Sequence, residues 1–387
     1  MLADVLKKLP TRKNELWKYT SLKPLQEVNW TIGSSDQDLS HDELKKISGW
    51  LSQDCSNFVF VNGVLNKTLS DSIESWLSID SSAELNYSGS DVMLRDLYQT
   101  TAAKKIKLTL PEKTIVEKPV QILFVSHGSE QTLQHIQLDV TLATQSQVQL
   151  ATRSVSLGEA KSFQLLHTNV QLQPASQFEW LHMQDLNSQS FSITQNTINL
   201  DRDVVFNFVD LTLGAAISRT NTETHFRSEN ANAGLYSCMA LNTEQHADLY
   251  SSINHLTGHN NSNQLAKSVL NDSAQSVFRG RVYIAIDAQK ANSEQLNNNL
   301  LLSRTAKANS IPQLEIHADD VKAGHGSTMG QMNQDEIFYF LSRGIAESSA
   351  VKMIAEGFAK EVVFKLANFE LQKIAMTQLQ NKLDRMI

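Results

Sequence analysis

The residues of this chain that could do chemistry are concentrated in one short segment near its C-terminal end. Two adjacent carboxylates, Asp319 and Asp320, precede a single imidazole, His325, which lies between Gly324 and Gly326. Because glycine has no side chain, a metal ion or a partner surface can approach the ring closely. The pattern therefore indicates an imidazole that is offered to a ligand or to a neighbouring molecule.

Several enzyme classes are not supported by the sequence. It contains no G-x-x-x-x-G-K-[ST] loop and no G-x-G-x-x-G turn that opens a helix, so neither a P-loop nor a dinucleotide site is expected. Ser327 is not part of a G-x-S-x-G elbow, and His325 lies too near in sequence to serve easily as its base. If ATP takes part, we expect another chain to bind it.

A polysaccharide hydrolase or lyase is the alternative function. Such an enzyme would use Asp319, Asp320 and His325, because paired carboxylates carry out glycoside hydrolysis. These residues are closer together than their counterparts in β-helix pectinases. The N-terminal sequence also lacks the apolar segment of a signal peptide, which an extracellular enzyme requires.

The composition narrows the cellular setting and the possible metal chemistry. The net charge of −7 argues against nucleic-acid binding, and no apolar run approaches the roughly 20 residues of a membrane-spanning helix. Cys55 and Cys238 form no C-x-x-C pair, so we expect a reducing, cytoplasmic location and a buried core thiol at Cys238. Two cysteines cannot supply the four thiolates of an iron–sulfur cluster, so we expect no cofactor on the chain alone.

Short strands dominate the predicted core, residues 103–331, after a mainly helical N-terminal domain at 1–102. Apolar and uncharged polar residues alternate with a period of two, which is typical of a half-buried sheet with polar ladders facing outward. The segments that alternate in this way include 106–110, 120–125, 135–142, 148–152, 163–172 and 193–200. No helical segment separates them, which argues against βαβ units, and a β-sandwich and a parallel β-helix both fit the pattern. Because the short strands extend over roughly two hundred residues, we favour a parallel β-helix, with a β-sandwich as the alternative.

The C-terminal domain, 332–387, is predicted to be helical. Asn333 has the residue type and position of a helix N-cap. Further on, Ile354, Phe358 and Val362 step by four along one face of a second helix. Such a stripe either packs on the core of the domain or docks a partner.

Several sequence blocks, in order along the chain, resemble the SufB/SufD family of scaffold proteins in SUF iron–sulfur cluster assembly. The blocks are Glu-Leu-Trp-Lys-Tyr-Thr at 15–20, Phe-Val-Asn-Gly at 60–63, Thr-Glu-Thr-His at 222–225, Phe-Arg-Gly at 278–280, Pro-Gln-Leu-Glu-Ile at 312–316, Asp-Asp-Val-Lys at 319–322 and Phe-Tyr-Phe-Leu-Ser-Arg-Gly at 338–344. The short N-terminal domain and the scarcity of cysteine resemble the SufD branch more than the SufB branch.

The resemblance implies a fold, a role and a set of partners. The fold is a right-handed β-helix core between helical ends. The role is that of a scaffold subunit without enzymatic activity. It pairs with SufB through the β-helix core and docks the SufC ATPase through the C-terminal helical domain, and it could form a homodimer in isolation.

The resemblance also assigns roles to individual residues. His325 matches a histidine at the SufB interface, where it is a candidate ligand of iron or of a transient iron–sulfur cluster shared with SufB. Many relatives have a cysteine where this chain has Ala323, so no thiol is available at that position. The expected partner-binding residues are Asp319, Asp320 and Lys322 at the interface with SufB, and Ile354, Phe358 and Val362 at the docking surface for SufC.

Overall fold

The computed structural model describes residues 2–33, 39–80, 87–101, 104–128 and 131–387. The predicted boundary between residues 102 and 103 therefore lies outside the described residues. The N-terminal part contains a 3₁₀ turn at Glu15–Trp17, helices α1 (Leu2–Leu6), α2 (Lys23–Gln26), α3 (His41–Ser48) and α4 (Val92–Thr100), and strands β1 (Thr31–Ile32), β2 (Ser56–Val61), β3 (Val64–Leu65) and β4 (Leu77–Asp80).

The core consists of sixteen strands that form two parallel ladders. They are β5 (Lys104–Leu110), β6 (Val120–His127), β7 (Thr132–Leu142), β8 (Gln147–Leu157), β9 (Ser162–Leu172), β10 (Gln177–Asp185), β11 (Phe191–Leu200), β12 (Val205–Thr212), β13 (Ile217–Phe226), β14 (Asn232–Leu241), β15 (His246–His255), β16 (Asn261–Leu270), β17 (Gln275–Ile284), β18 (Asn292–Leu301), β19 (Lys307–Ile316) and β20 (Lys322–Gln331).

Each core strand pairs with the strand two places further along the chain, so odd-numbered strands form one sheet and even-numbered strands the other. We call these the odd sheet and the even sheet. The chain therefore winds as a β-solenoid with two strands in each turn and eight turns in all. This arrangement confirms the predicted β-helix-like core. A sandwich is excluded, because sandwich sheets are antiparallel.

Aromatic side chains stack from turn to turn inside the solenoid. Phe178 pairs in register with Phe206 in the next turn, and Trp180 pairs with Phe208. The corresponding ring centroids lie 5.7 Å and 4.5 Å apart. Each such contact contributes about 0.5–1.5 kcal/mol beyond the burial of apolar area, so equivalent positions on successive turns stabilise the stack.

Many polar side chains are buried, which corrects the expectation that they form outward ladders on a half-buried sheet. All ten residues of β11 are buried, because other parts of the chain cover the outer faces as well. The buried amides still form the expected ladders, because they bond to side chains of the next turn. The Gln295 Nε2 donates to Gln264 Oε1 at 2.6 Å, and the Asn196 Nδ2 donates to Thr222 Oγ1 at 3.2 Å. These bonds satisfy groups that would otherwise lose contact with water.

N-terminal elements cover the outer face of the odd sheet. Trp30 packs against Phe163 and Phe191, with ring centroids 5.5 Å and 5.8 Å apart. Trp17 and Leu25 are completely buried in the same cluster. Strand β4 extends the odd sheet beyond β5, and β2 and β3 extend the even sheet beyond β6. The first turn of the solenoid is therefore covered by the chain itself.

Three C-terminal helices follow the solenoid: α5 (Gln334–Leu341), α6 (Glu347–Val363) and α7 (Phe369–Met386). The predicted N-cap is confirmed, because the Asn333 side chain accepts a hydrogen bond from the Asp335 backbone N–H at 2.9 Å. Helices α6 and α7 pack on the outer face of the even sheet, where small residues such as Ala355 and Ala359 let the backbones approach. None of the helices described combines the length and the apolar character that a membrane crossing requires.

Candidate functional site

His325 lies on β20, the last strand of the even sheet, and its side chain is exposed. In register it follows Gln295 of the preceding turn, which is buried. Two residues later, the Ser327 hydroxyl donates to the hydroxyl of Ser310 on β19 at 2.8 Å, so this side of β20 faces the other sheet. His325 thus continues an interior series, and it is exposed because no further turn covers it.

The last turn of the solenoid has two free strand edges. Within the described chain, β19 pairs only with β17 and β20 pairs only with β18. Both strands are ten residues long, and large apolar side chains on them, Ile316 and Met329, are 40% and 54% exposed. Long uncovered edges invite pairing with another chain. The geometry therefore favours a contact surface at this end.

The acidic pair Asp319 and Asp320 lies at the corner that leads into β20. The Asp320 carboxylate forms an ion pair with Lys290, and the Asp320 backbone N–H donates to Gln289 Oε1 at 2.9 Å. The Lys290 N–H donates to the Asp320 carbonyl oxygen at 2.7 Å. Asp319 and Lys322 are exposed beside this corner. All of these groups can reach a partner that covers the free end.

The geometry gives no support to a polysaccharide-cleaving site. Two clefts of about 570 Å³ and 530 Å³ lie in the described part of the chain, and neither is lined by Asp319, Asp320 or His325. The Asp320 carboxylate is occupied by Lys290 at the surface. An enzyme that distorts a sugar chain needs its paired carboxylates on opposite sides of a bound substrate.

The described residues do not supply a complete metal site around His325. No group of three or more His, Cys, Asp or Glu side chains with metal-site geometry occurs among the described residues. Both cysteines are buried, and burial raises the pKa of the Cys55 thiol to about 11 and that of Cys238 to about 12. Thiols with such pKa values stay protonated at neutral pH and are poor metal ligands. His325 could therefore serve only as one ligand of a shared site.

The predicted docking stripe on α6 lies only partly at the surface. Val362 is completely buried against the even sheet, so in this arrangement it packs the helix and offers nothing to a partner. Ile354 and Phe358 are half-buried. The Lys267 Nζ lies 4.2 Å from the centre of the Phe358 ring and donates to the Phe358 carbonyl oxygen at 2.9 Å. The four-residue spacing marks a helix face, but that face mainly covers the chain's own sheet.

Helix α5 exposes a group of apolar side chains that the predicted stripe on α6 does not include. Phe338 and Tyr339 are 70% and 53% exposed, and Leu341 is 43% exposed. In the same helix only Ile337 is buried. A run of five large apolar residues on a single eight-residue helix was the available signal, because one helix face cannot bury them all. An exposed patch of this kind is typical of a protein contact.

The Glu-Leu-Trp-Lys-Tyr-Thr block also has a defined place. Trp17 is completely buried, and the Arg219 guanidinium stacks on its ring at 3.9 Å. The Arg219 Nη1 donates to the Leu16 carbonyl oxygen and to Asp248 Oδ2, each at 2.7 Å. The Trp17 Nε1 donates to Asp91 Oδ2 at 2.8 Å. This block holds the N-terminal part of the chain on the odd sheet.

Comparison with known proteins agrees with this geometry. The family model described as "SUF system FeS cluster assembly, SufBD core domain" matches residues 124–358. The iron–sulfur cluster assembly protein SufD of Escherichia coli strain K12 is 28% identical over 387 residues, which cover 97% of this chain and 89% of that protein.

Two further relatives have similar descriptions. An iron–sulfur cluster assembly SufBD family protein of Synechocystis is 26% identical over 404 residues, covering 97% of this chain and 86% of that protein. A SufBD family protein of Mycobacterium leprae is 29% identical over 192 residues, covering 48% of this chain and 49% of that protein. The matched core runs from β6 into α6, so it contains the free end of the solenoid and His325.

Proposed function

This chain belongs to the SufBD family of SUF-system iron–sulfur cluster assembly proteins, and from that premise we propose that it is a non-catalytic scaffold subunit. In this proposal it pairs with SufB through the free end of the solenoid and docks the SufC ATPase through its C-terminal helices. The observation that carries the proposal is the uncovered last turn, with His325 exposed between two free strand edges.

Pairing at the free end follows from the backbone chemistry of an edge strand. Its outward N–H and C=O groups are strong hydrogen-bonding groups, and a strand from another chain can satisfy them in register. A second solenoid end supplies strands of comparable length. Side chains at the corner, including Asp319, Asp320 and Lys322, then set the orientation through charge complementarity.

His325 is the metal-binding group of this proposal. A neutral imidazole nitrogen ligates iron, and a thiolate of SufB would complete the shared site, because this chain offers no accessible thiol of its own. Iron or the nascent cluster is the cargo of the pair and not a resident cofactor. ATP hydrolysis by SufC would shift the docked helices and so rearrange the interface near His325.

The finer structural assignments belong to the same proposal. We infer a right-handed solenoid, because parallel strands in one sheet are joined by right-handed crossovers in about 98% of cases. We also propose three domains at 1–102, 103–331 and 332–387 and a cytoplasmic location, in agreement with the two free cysteines.

Pairing is tested by co-expression of this chain with SufB and SufC. The wild-type chain is expected to co-purify with both. M329K places a charge on the free edge of β20 and should reduce recovery of SufB about tenfold or more, since edge lysines oppose strand pairing. The matched control is I115K, at an apolar residue of similar exposure near the opposite end of the solenoid. Equal recovery of SufB by wild type and M329K contradicts pairing at this edge.

The metal role is tested by H325A in the co-expressed complex. Because the side chain is exposed, the unfolding temperature and the recovery of SufB and SufC should stay unchanged. Iron retained per complex, measured by elemental analysis, should fall severalfold because one ligand is lost. The control is H317A, at a histidine that is 52% exposed near the same end. Wild-type iron content in H325A rules out the ligand role and leaves the pairing proposal intact.

A further inference from the structure

A second polar site lies in a cleft of about 530 Å³ on the outer face of the even sheet. The cleft separates the end of α3 and the segment after it from the last turns of α7, and His325 is not part of it. Its lining includes Lys46, Trp50, Arg153, Asp185 and Arg385. The N-terminal and C-terminal parts of the chain thus meet the solenoid around one group of charged side chains.

Arg153 is the unusual member of this group. It lies on β8 and is only 3% exposed. One nitrogen, Nη2, donates to Asp185 Oδ2 at 3.3 Å, whereas Nε and Nη1 have no acceptor among the described residues. Buried guanidinium groups normally have their N–H groups satisfied, because the charge has lost its water. The Nε and Nη1 groups of Arg153 are therefore free to donate to oxygen atoms of a ligand that enters the cleft.

The surrounding charges favour an anion. The Lys46 Nζ and the Arg153 Cζ each lie 5.7 Å from the centre of the Trp50 ring, so two cations approach one aromatic residue. Asp185 also accepts a hydrogen bond from the Arg385 Nη2 at 3.2 Å. Because Arg385 also neutralises Asp185, the long bond from Arg153 can be exchanged for a ligand at little electrostatic cost.

The remaining carboxylates do not reverse this balance. Asp384, on the α7 side of the cleft, is paired with Lys352 of α6. Glu159 lies at the exposed rim opposite. The lining of the cleft carries three cations and three carboxylates, and the side that favours an anion is the one where Arg153 and Lys46 approach Trp50.

We propose that this cleft binds a small oxyanion, either a phosphate or a carboxylate group, with Arg153 as the principal donor and Lys46 as the second. A modest rotation of the guanidinium turns its unsatisfied N–H groups toward the anion, while Arg385 keeps Asp185 in place. The Trp50 ring forms one wall of the site and positions both cations. The site does not depend on pairing at the free end of the solenoid.

The test uses the full chain and two probes, inorganic phosphate and succinate, each titrated at constant ionic strength with chloride as the reference salt. A bound anion raises the unfolding temperature in a saturable way, because it binds the folded state alone. R153M and K46Q should each weaken the apparent affinity, R153M by about tenfold or more, because a charge-assisted hydrogen bond is lost. R202Q, at an arginine that is 65% exposed outside the cleft, is the control and should bind as wild type.

The outcomes separate the two sources of the anion. Saturation by phosphate alone assigns a phosphate group, and saturation by succinate alone assigns a carboxylate. The proposal is overturned if both probes act only as chloride does, or if R153M binds as tightly as wild type. Should R153M fail to fold, K46Q decides, since Lys46 is exposed and its replacement leaves the core untouched. Unchanged affinity in K46Q then overturns the proposal.

Discussion

The buried side chain of Arg219 connects the sequence block at 15–20 to the odd sheet. Arg219 is 1% exposed, and its partner Asp248 is 3% exposed. Its guanidinium stacks on Trp17, and its Nε donates to Asn221 Oδ1 at 2.9 Å. Thr20 and His246 extend the network, because the Thr20 hydroxyl donates to Asp248 and lies 2.9 Å from the His246 Nε2. The sequence block at 15–20 therefore has a structural role, because it holds the N-terminal part of the chain on the odd sheet.

We expect R219A to lower the free energy of unfolding by about 3–5 kcal/mol, because it leaves the Asp248 carboxylate buried without its ion-pair partner. Denaturant titration measures the loss. R202A removes an exposed ion pair with Asp203 and should change stability by less than about 1 kcal/mol. R219K should not restore the wild-type value, because an ammonium group cannot both stack on Trp17 and bond in three directions. A loss of free energy of unfolding in R219A no larger than in R202A would show that the contacts of Arg219 do not stabilise the fold.

Among the secondary-structure elements, α5 and α6 differ in how much of their apolar surface is buried. Helix α6 buries Ala355, Ala359 and Val362 against the even sheet, so its apolar face is already used. Helix α5 has eight residues and exposes Phe338 and Tyr339. Under the proposed function, we propose that the exposed side chains of α5 dock the ATPase.

F338E is expected to abolish co-purification of SufC, because it places a charge in the centre of an apolar contact. Recovery of SufB should be unchanged. Since Phe338 is 70% exposed, the free energy of unfolding should stay within about 0.5 kcal/mol of wild type. I115E carries the same change at a residue that is 61% exposed and lies outside the C-terminal helices. If F338E and I115E recover SufC equally, docking takes place elsewhere.

At the scale of the whole molecule, burying polar groups makes stability depend on pH. Burial lowers the pKa of His135, His167, His182 and His255 to about 4 each. Burial also raises the pKa of Asp210 to about 7. The two kinds of group have opposite effects, because the folded state rejects a proton at the histidines and retains one at the carboxyl group.

We expect the unfolding temperature to fall as the pH drops from 6.5 toward 4. In this window the histidines of the unfolded chain, with pKa values near 6.5, take up protons that the buried histidines of the folded chain do not. Protonation therefore favours the unfolded state, so this contribution to stability is fully present above pH 6.5 and is lost as the pH falls toward 4. Asp210 acts in reverse, losing stability as the pH rises from 3.8 toward 7. The combined effect of the four histidines on stability is larger than that of the single carboxyl group, so the net stability falls as the pH drops.

Calorimetry across this pH range measures the effect. H182Q should reduce the pH dependence, because His182 is buried and bonds to the Thr152 hydroxyl at 2.9 Å. H317Q, at an exposed histidine, should leave it unchanged. A wild-type unfolding temperature that stays constant between pH 6.5 and 4 would contradict the burial argument.

The sequence by itself determined the strand and helix character of the segments and indicated the family, whereas it left a β-helix and a β-sandwich both open. Alternation with a period of two marks strands, because side chains of a strand point to opposite faces. Asn333 marks a helix start because its side chain accepts a bond from a backbone N–H that lacks an intrahelical partner. The ordered sequence blocks indicated the SufBD family. The absence of a P-loop pattern and of a dinucleotide-binding turn is also a property of the sequence alone. These properties depend on near neighbours in the sequence.

Only the tertiary structure decided which faces are covered. Gln264 and Gln295 bond to each other although 31 positions separate them, and no local pattern reveals that register. The exposure of His325, the burial of Val362 and the unsatisfied guanidinium of Arg153 have the same origin. Each depends on whether another turn or helix lies over the side chain. The period of a strand shows which of its side chains share a face. Packing between distant segments decides whether that face is buried and which residues it contacts.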